Sequence, residues 1–252
     1  MELPLGCAGG AGVRAFISSG AAGDMSLKTP EGNGRRAGWL RFMGFDPERE
    51  LSTDMVHSRA VVAADGIADA RNREADGIVT DDPSLFAVVT VADCMPILVR
   101  DRKRGAFGAL HSGWKGTGIL AEALSVMAGR YGSRPADLTV NLGPRIGSCC
   151  YRVDEGRARA FEREFGSASV RYRSSGKGGD GASPGEGWYL DLLGANTALA
   201  ERLGVGELLV AGDCTVCDKL FGSFRREGPE RFTRMAVVIG VPKDGAVEGK
   251  QP

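Results

Sequence analysis

Four short apolar runs between residues 78 and 153 constrain the fold more than any other feature of the chain. Each is rich in β-branched or aliphatic residues and is bounded by Gly, Pro, Asp or basic residues, which is typical of strands. They are LFAVVTVA (85–92), MPILVRD (95–101), GAFGALHS (105–112) and DLTVNLG (137–143). An amphipathic segment with a glycine stop, TGILAEALSVMAGRYG (117–132), predicts a helix between the last two. The short, hairpin-like connections argue against a purely parallel sheet, so the block predicts mixed sheets with helices.

Similar patterns extend towards both ends of the chain. Further strands are predicted for VRAFIS (13–18), MVHSRAVVAA (55–64, with His57 in its middle), ELLVAGD (207–213) and RMAVVIGV (234–241). Further helices are predicted for RRAGWLRFMGF (35–45), RVDEGRARAFEREFG (152–166) and LDLLGANTALAERLG (190–204).

The length of 252 residues suffices for one large core, and we expect a single domain over residues 1–252. Gly, Ser and charged residues dominate residues 173–187, and that composition buries too little apolar area to order itself. It predicts a flexible surface insertion, for which an active-site lid is the alternative. Residues 243–252 are predicted to form a disordered tail.

The bulk charge argues against several classes of function. The chain has 32 basic and 32 acidic residues and no net charge, whereas a protein that binds nucleic acid through phosphates usually has a basic excess. No apolar stretch approaches the roughly 20 residues that span a bilayer, and the first residues do not resemble a signal peptide. We therefore expect a cytoplasmic protein that binds neither nucleic acid nor membrane. Its six cysteines should then be thiols.

Three residues are candidates for a metal centre. The chain has two histidines, His57 and His111, and Cys94 and His111 each lie at the end of an apolar run. Imidazole and thiolate are preferred zinc ligands, and three protein ligands with one open position are typical of a catalytic zinc site. Buried or surface residues without a metal are the alternative.

The same residues suit a second chemistry. Cys94 would be a thiol nucleophile with His111 as its base, and Asp93 or His57 would orient the histidine. In the turn after His111, Gly113 and Gly116 allow close backbone approach. The helix that begins near Thr117 would bind an anion with Lys115, unless the segment simply turns the chain.

The other cysteines carry weaker signals. Cys149 and Cys150 are adjacent, cannot easily face one pocket if the chain is extended, and are predicted to be small buried residues. CTVC (214–217) has the C-x-x-C form, but the sequence contains no second C-x-x-C pair to complete a zinc ribbon. Thiols that pack in the core, or a redox motif, are the remaining interpretations.

Four ordered segments resemble the YfiH-like family, which is also described as laccase-domain or polyphenol oxidase proteins. They are TVADCMPILVRD, ALHSGWKG, LGPRIGSCCYRV and LFGSFRREG with RMAVVI, and the resemblance extends over about residues 13–241. It implies an α+β fold, a layered sandwich of mixed β-sheets flanked by helices.

The resemblance also implies a site and an activity. By matched motifs the metal ligands are His57, Cys94 and His111, although Met55 replaces the usual glutamine of the His57 motif. Similar proteins bind zinc, cleave purine nucleosides such as adenosine, inosine and methylthioadenosine with phosphate, and deaminate adenosine. Candidate phosphate-binding residues are Lys115, Arg145 and Arg225, the last with its neighbour Arg226.

Two features of the chain bear on the identity of the metal and on phosphate binding. A multicopper centre needs many histidines and this chain has two, so Zn²⁺ is expected rather than copper. The family's N-terminal arginine motif is replaced by ISSGAAGDMS, so phosphate binding would depend on other residues such as Arg35, Arg36 or Arg59. The alternatives are a cysteine-dependent hydrolase or amidase acting on cell-wall precursors, a copper-dependent polyphenol oxidase, and a non-catalytic nucleotide sensor. The sequence does not predict an oligomeric state.

Overall fold

A computed structural model describes residues 1–6, 12–174 and 185–243 of the chain. Two large β-sheets pack face to face, with helices on both outer sides, which confirms the predicted layered α+β fold. The strands are β1 (Glu2–Leu3), β2 (Arg14–Ile17), β3 (Glu50–Leu51), β4 (Val61–Ala63), β5 (Gly77–Thr80), β6 (Phe86–Val91), β7 (Met95–Asp101), β8 (Phe107–Ser112), β9 (Leu138–Leu142), β10 (Arg152–Val153), β11 (Val170–Arg173), β12 (Gly187–Leu190), β13 (Glu207–Val210) and β14 (Met235–Gly240). The helices are α1 (Pro30–Phe42), α2 (Ile67–Ala70), α3 (Ile119–Tyr131), α4 (Glu155–Phe165), α5 (Leu192–Arg202) and α6 (Phe224–Glu227).

The sheets have mixed strand directions, as the hairpin-like spacing predicted. One sheet has the order β1-β2-β14-β6-β3, the second β13-β9-β7-β8-β5-β4, and a small third sheet β10-β12-β11. In the second sheet β8 is antiparallel to both β5 and β7, whereas β13 runs parallel to β9 and β4 parallel to β5.

Period-two alternation along the strands divides the core into layers. On β7, Leu98 faces the other large sheet, whereas Ile97 and Val99 pack in the cluster that includes α3 and α5. On β6, Val89 lies between the sheets and Val88 packs beneath α1. Both faces of each central strand are therefore buried, which explains the nearly continuous apolar runs in the sequence.

The helix ends follow the predicted signals. Helix α3 ends at Gly132, whose φ of 67° is the left-handed conformation that glycine adopts most easily. Helix α1 begins earlier than predicted, at Pro30, because Thr29 caps it by accepting a hydrogen bond from the Gly32 amide.

Two predicted segments differ in part from the structure. The strand predicted over residues 55–64 is confined to Val61–Ala63, and His57 lies in the preceding loop. The ends of the predicted insertion are strands, since Arg173 of β11 pairs with Gly187 of β12. Residues 175–184 and 244–252, where the flexible insertion and the tail were predicted, lie outside the described residues.

Candidate metal centre

The three predicted metal ligands come together at one end of the six-stranded sheet. Cys94 immediately precedes β7 and His111 lies near the end of β8, and the pairing of Pro96 with His111 places these two strand ends side by side. His57 arrives from the loop before β4. One ligand atom from each of the three residues lies within 4.8 Å of the other two.

The His57 loop owes its shape to the buried carboxylate of Asp76. Its oxygens accept hydrogen bonds from the backbone amides of Val56 (3.2 Å), His57 (3.0 Å) and Ser58 (2.6 Å). His57 adopts a φ of 61°, an unusual conformation for a non-glycine residue, which these bonds maintain. A strand could not supply three consecutive amides to one carboxylate, which is why the strand predicted here does not form.

Asp76 also orients His111. Its Oδ1 lies 2.8 Å from Nδ1 of the imidazole, and its backbone carbonyl accepts a hydrogen bond from the His111 amide (2.7 Å). A carboxylate partner on Nδ1 leaves Nε2 as the ligand atom, the arrangement usual for metal-bound histidines. The two imidazole rings meet edge to face, with their centroids 4.9 Å apart.

Electrostatics in this group favour charged forms. Burial acts to raise the pKa of Asp76, but hydrogen bonds from His111 and Ser58 outweigh it and lower the pKa to about 2. Burial also opposes ionisation of the Cys94–His111 pair. The attraction within the pair, with help from His57 and Asp76, lowers the pKa of Cys94 and raises that of His111. Without metal, thiolate and imidazolium therefore stabilise each other.

Asp93 anchors the turn that carries Cys94. It adopts a φ of 79°, and its carboxylate accepts hydrogen bonds from the Thr215 hydroxyl and from the Arg225 amide, both at 2.6 Å. Asp93 therefore does not orient His111, as one interpretation of the sequence had it; Asp76 does. The signal for Asp76 was its position directly before the apolar run GIVT, which resembles the strand-end positions of Asp93 and Cys94.

Gly113 allows the next turn to lie against the centre. A Cβ atom at this position would be 2.8 Å from the Cys94 sulfur, so any side chain here would displace that sulfur. The amide and hydroxyl of Thr117 both bind the Gly113 carbonyl at 2.8 Å, and the Ile119 amide binds that of Gly116. Several donors of the predicted anion-binding turn are therefore used within the turn itself.

The three predicted phosphate-binding residues occupy different environments. Lys115 is exposed, with its Nζ 5.6 Å from the centre of the Trp114 ring. Arg225 is exposed, and its guanidinium donates to the carbonyls of Cys150 and Arg152. Arg145 is only 4% exposed and donates to the carbonyl of Ala211, so its guanidinium is largely enclosed by protein.

Three further arginines considered from the sequence also have protein partners. Arg226 donates to the backbone carbonyls of Thr215 and Val216, which ties the loop after β13 to α6. Arg36 is buried in an ion pair with Glu50. Arg59 lies beside the turn at residues 112–116. Its side chain donates to the Lys115 carbonyl and also forms an ion pair with Glu164.

The donor set fits a single metal ion. Two imidazoles and one thiolate are borderline-soft ligands, and they would fill three of the four positions around a tetrahedral ion. His111 is 4% exposed, Cys94 is half-buried and His57 is exposed, so the group has a buried side and an open side. Because both histidines of the chain are used here, none remains for further histidine-ligated ions.

The structure corrects the interpretation of the other cysteines. Cys149 is exposed and Cys150 half-buried, and both lie beside Cys214 and Cys217 of the C-x-x-C segment. They can face the same partners because the chain turns here: the amides of Cys150 and Tyr151 both donate to the Gly147 carbonyl. The C-x-x-C segment therefore lies beside a pair of cysteines that are adjacent in sequence, which a search for a repeated C-x-x-C does not find.

Among the described residues, no helix is both long and apolar enough to cross a bilayer.

Fold and site together define a class of layered α+β proteins with a His–Cys–His group at a sheet end. The sequence profile described as "Multi-copper polyphenol oxidoreductase laccase" matches residues 25–242. A purine nucleoside phosphorylase of Deinococcus radiodurans is 34% identical over 209 residues, which cover 82% of this chain and 76% of that protein.

Solved structures of similar proteins have the same fold. YfiH of Bacillus licheniformis matches with a TM-score of 0.80 and 27% identity, over 91% of this chain and 92% of that one. YlmD of Geobacillus stearothermophilus matches with a TM-score of 0.79 and 26% identity, over 92% and 93%. The chain therefore belongs to the YfiH-like, laccase-domain family.

Proposed function

We propose that this protein is a zinc-dependent purine nucleoside phosphorylase that also deaminates adenosine. The observation that carries the proposal is the convergence of His57, Cys94 and His111 within 4.8 Å, backed by the buried Asp76. Relatives named purine nucleoside phosphorylase, which match most of the chain, supply the substrate class.

Zinc is the metal that the donor set favours. Zinc accepts two imidazoles and one thiolate and keeps a fourth position for a water or substrate atom. The family description names several coppers, whose sites are usually rich in histidine, whereas this chain has two histidines in all. A copper-dependent polyphenol oxidase is therefore the weaker proposal. When bound, the metal would supply a Lewis acid that lowers the pKa of a water at the open position.

Phosphorolysis requires a phosphate oxygen to form a bond with C1′ of the ribose while the bond from C1′ to N9 of the purine breaks. The bonding pair leaves with the purine, which then takes up a proton. The chain must therefore hold an anion beside the ribose. Lys115 and Arg225, both exposed, are the residues we assign to phosphate, because charge-assisted donors bind it best. Arg145 is only 4% exposed, so it would reach a bound phosphate only from below the protein surface.

Deamination at the His57–Cys94–His111 group needs water in place of phosphate. Water supplies the oxygen that replaces the amino group at C6 of adenosine, and ammonia leaves with the proton that water loses. The Asp76–His111 pair is suited to hold the imidazole in one orientation throughout, since its carboxylate stays ionised with a pKa of about 2. The open side next to His57 is where we expect the nucleoside to approach.

The experiment is a turnover assay with inosine and phosphate, and with adenosine. Replacing His111→Ala should lower both activities by about a thousandfold or more, because a ligand and its Lewis-acid function are lost together. Lys115→Ala should raise KM for phosphate about tenfold with little change for adenosine deamination. Lys103→Ala is the matched control, since Lys103 pairs with Asp137 away from the centre. Unchanged phosphorolysis by the His111 variant would refute the proposal.

A cysteine-dependent hydrolase is the second candidate, because the geometry favours it at one point. Cys94, His111 and Asp76 stand in the order nucleophile, base and orienting carboxylate, with Cys94 held as thiolate. In that case alkylation of Cys94 would abolish an amide or ester hydrolysis that chelators leave intact. Loss of activity on chelation, restored by zinc, excludes it.

A further inference from the structure

A second group, of four cysteines, shares no member with the His57–Cys94–His111 group. Cys149 and Cys150 follow the Gly147 turn, and Cys214 and Cys217 follow β13. A parallel bridge between Arg145 and Cys214 brings the two loops together. Their four sulfur atoms all lie within 4.8 Å of one another.

The spacing of the sulfurs suits a metal better than a disulfide. Cys217 Sγ lies 3.7 Å from that of Cys149 and 3.5 Å from that of Cys150. In a tetrahedral zinc tetrathiolate with bonds of about 2.3 Å, neighbouring sulfurs are about 3.8 Å apart. A disulfide would require about 2.05 Å. The observed separations are thus close to the edges of a tetrahedron around a central ion.

The backbone around the sulfurs has the form of a ligand turn. The amides of Cys217 and Asp218 both donate to the Cys214 carbonyl, which closes the C-x-x-C segment into a tight turn. The Gly147 amide donates to the Cys214 sulfur at 3.2 Å. A Cβ atom on Gly147 would lie 3.0 Å from the Cys149 sulfur, so a glycine lets the first loop approach this closely.

The surroundings also complement a negative charge. A divalent ion with four thiolates carries a net charge of minus two. Arginine side chains donate to the backbone carbonyls of both loops: Arg173 to Ser148, Arg225 to Cys150, and Arg226 to Thr215 and Val216. These guanidinium groups would offset the charge of the ion and its ligands.

We propose that Cys149, Cys150, Cys214 and Cys217 bind one Zn²⁺ ion as a structural tetrathiolate site. Binding replaces the four thiol protons, which pass to solvent, and involves no change of oxidation state. Four protein ligands leave no open position, so the ion holds the loops rather than reacting. It also supports the first centre, since Thr215, inside the C-x-x-C turn, donates to Asp93 beside Cys94.

The test is to count metal in the full-length protein, purified under reducing conditions without chelator. Wild type should carry about two zinc ions per chain, and both the His111→Ala variant and the Cys214→Ser, Cys217→Ser double variant about one each. Lys219→Ala, an exposed residue of the same loop without a sulfur, should keep both. Because each variant reports on its own site, the two proposals fail separately.

A spectroscopic measurement tests the four-cysteine site without relying on the folding of the double cysteine variant. Wild-type and His111→Ala proteins loaded with Co²⁺ should both show the strong sulfur-to-metal charge-transfer band of a tetrathiolate. A double variant that keeps the zinc content of wild type, no such band in the Co²⁺-loaded His111→Ala variant, or disulfides among these four cysteines in freshly purified protein would each overturn the proposal. One zinc in wild type that the His111→Ala variant retains would instead contradict only the first centre.

Discussion

The two cysteine-containing groups differ in ways that assign them different tasks. The His57–Cys94–His111 group offers three potential metal ligands of two kinds and has a buried and an open side. The four-cysteine group, Cys149, Cys150, Cys214 and Cys217, offers four equal ligands at the surface. Three ligands leave a position for chemistry, whereas four complete a tetrahedron. The number of ligands, more than their burial, separates a reactive site from a structural one.

Their supporting contacts differ as well. A buried carboxylate, Asp76, fixes the imidazole and the loop of the first group. Backbone amide and arginine contacts surround the second. The two meet at the hydrogen bond from Thr215 to Asp93, so a disturbance of the loop after β13 can reach Cys94.

Among variants that keep every proposed ligand, the largest effect should come from Asp76→Asn. The substitution removes the charge that orients His111 and three backbone amides, so metal affinity of the first centre should fall about tenfold to a hundredfold. The four-cysteine group should keep its ion. Competition with a chromogenic chelator measures both. Asp137→Asn is the control, since Asp137 is a buried carboxylate paired with Arg134 and Lys103; equal zinc loss in both variants would contradict the role of Asp76.

The same variant also gives a pH test. The folded-state pKa of Asp76, about 2, lies below its ordinary 3.8, so ionised Asp76 stabilises the fold at higher pH. Wild type should lose this contribution, about 2 kcal/mol, as the pH falls from about 4 to about 2. The Asn variant should lack that part of the decline in acid unfolding monitored by circular dichroism. Identical curves would be inconsistent with the charge pairing described.

A smaller effect is expected from Gly113→Ala. The added methyl group would meet the Cys94 sulfur, so kcat/KM should fall about tenfold through displacement of a ligand. Gly129→Ala, in the exposed interior of α3 with open space around it, should instead stabilise the fold by about 0.5–1 kcal/mol and leave turnover unchanged. If both variants behave alike, close approach at Gly113 is not required.

The smallest effect on turnover is expected from Thr215→Val, which tests the connection between the two groups. Thr215→Val removes the hydroxyl that donates to Asp93 and should cost about 1–3 kcal/mol of unfolding free energy. Turnover should fall only several-fold, because all ligands remain. Both ions should still be present in metal analysis. Full activity together with full stability would mean that the two groups are independent.

Sequence reasoning predicted the sheets and part of the site because both depend on local patterns. Apolar runs revealed β6 to β9, and the polar residues at their ends led to Cys94 and His111. The loop shape at His57 depends on Asp76, which is distant in sequence, so a local pattern gave a strand there. The four-cysteine group was missed for the same reason, since it forms only when the Gly147 turn meets the loop after β13.

The most direct measurement of the central claim is phosphate-dependent cleavage of inosine by metal-free protein before and after addition of zinc. Activity should disappear with the metal and return when zinc again occupies His57, Cys94 and His111, after up to about two equivalents per chain because the four cysteines also take up an ion. The His111→Ala variant should not recover with any amount of zinc. Equal rates of hypoxanthine release with and without metal would contradict the account.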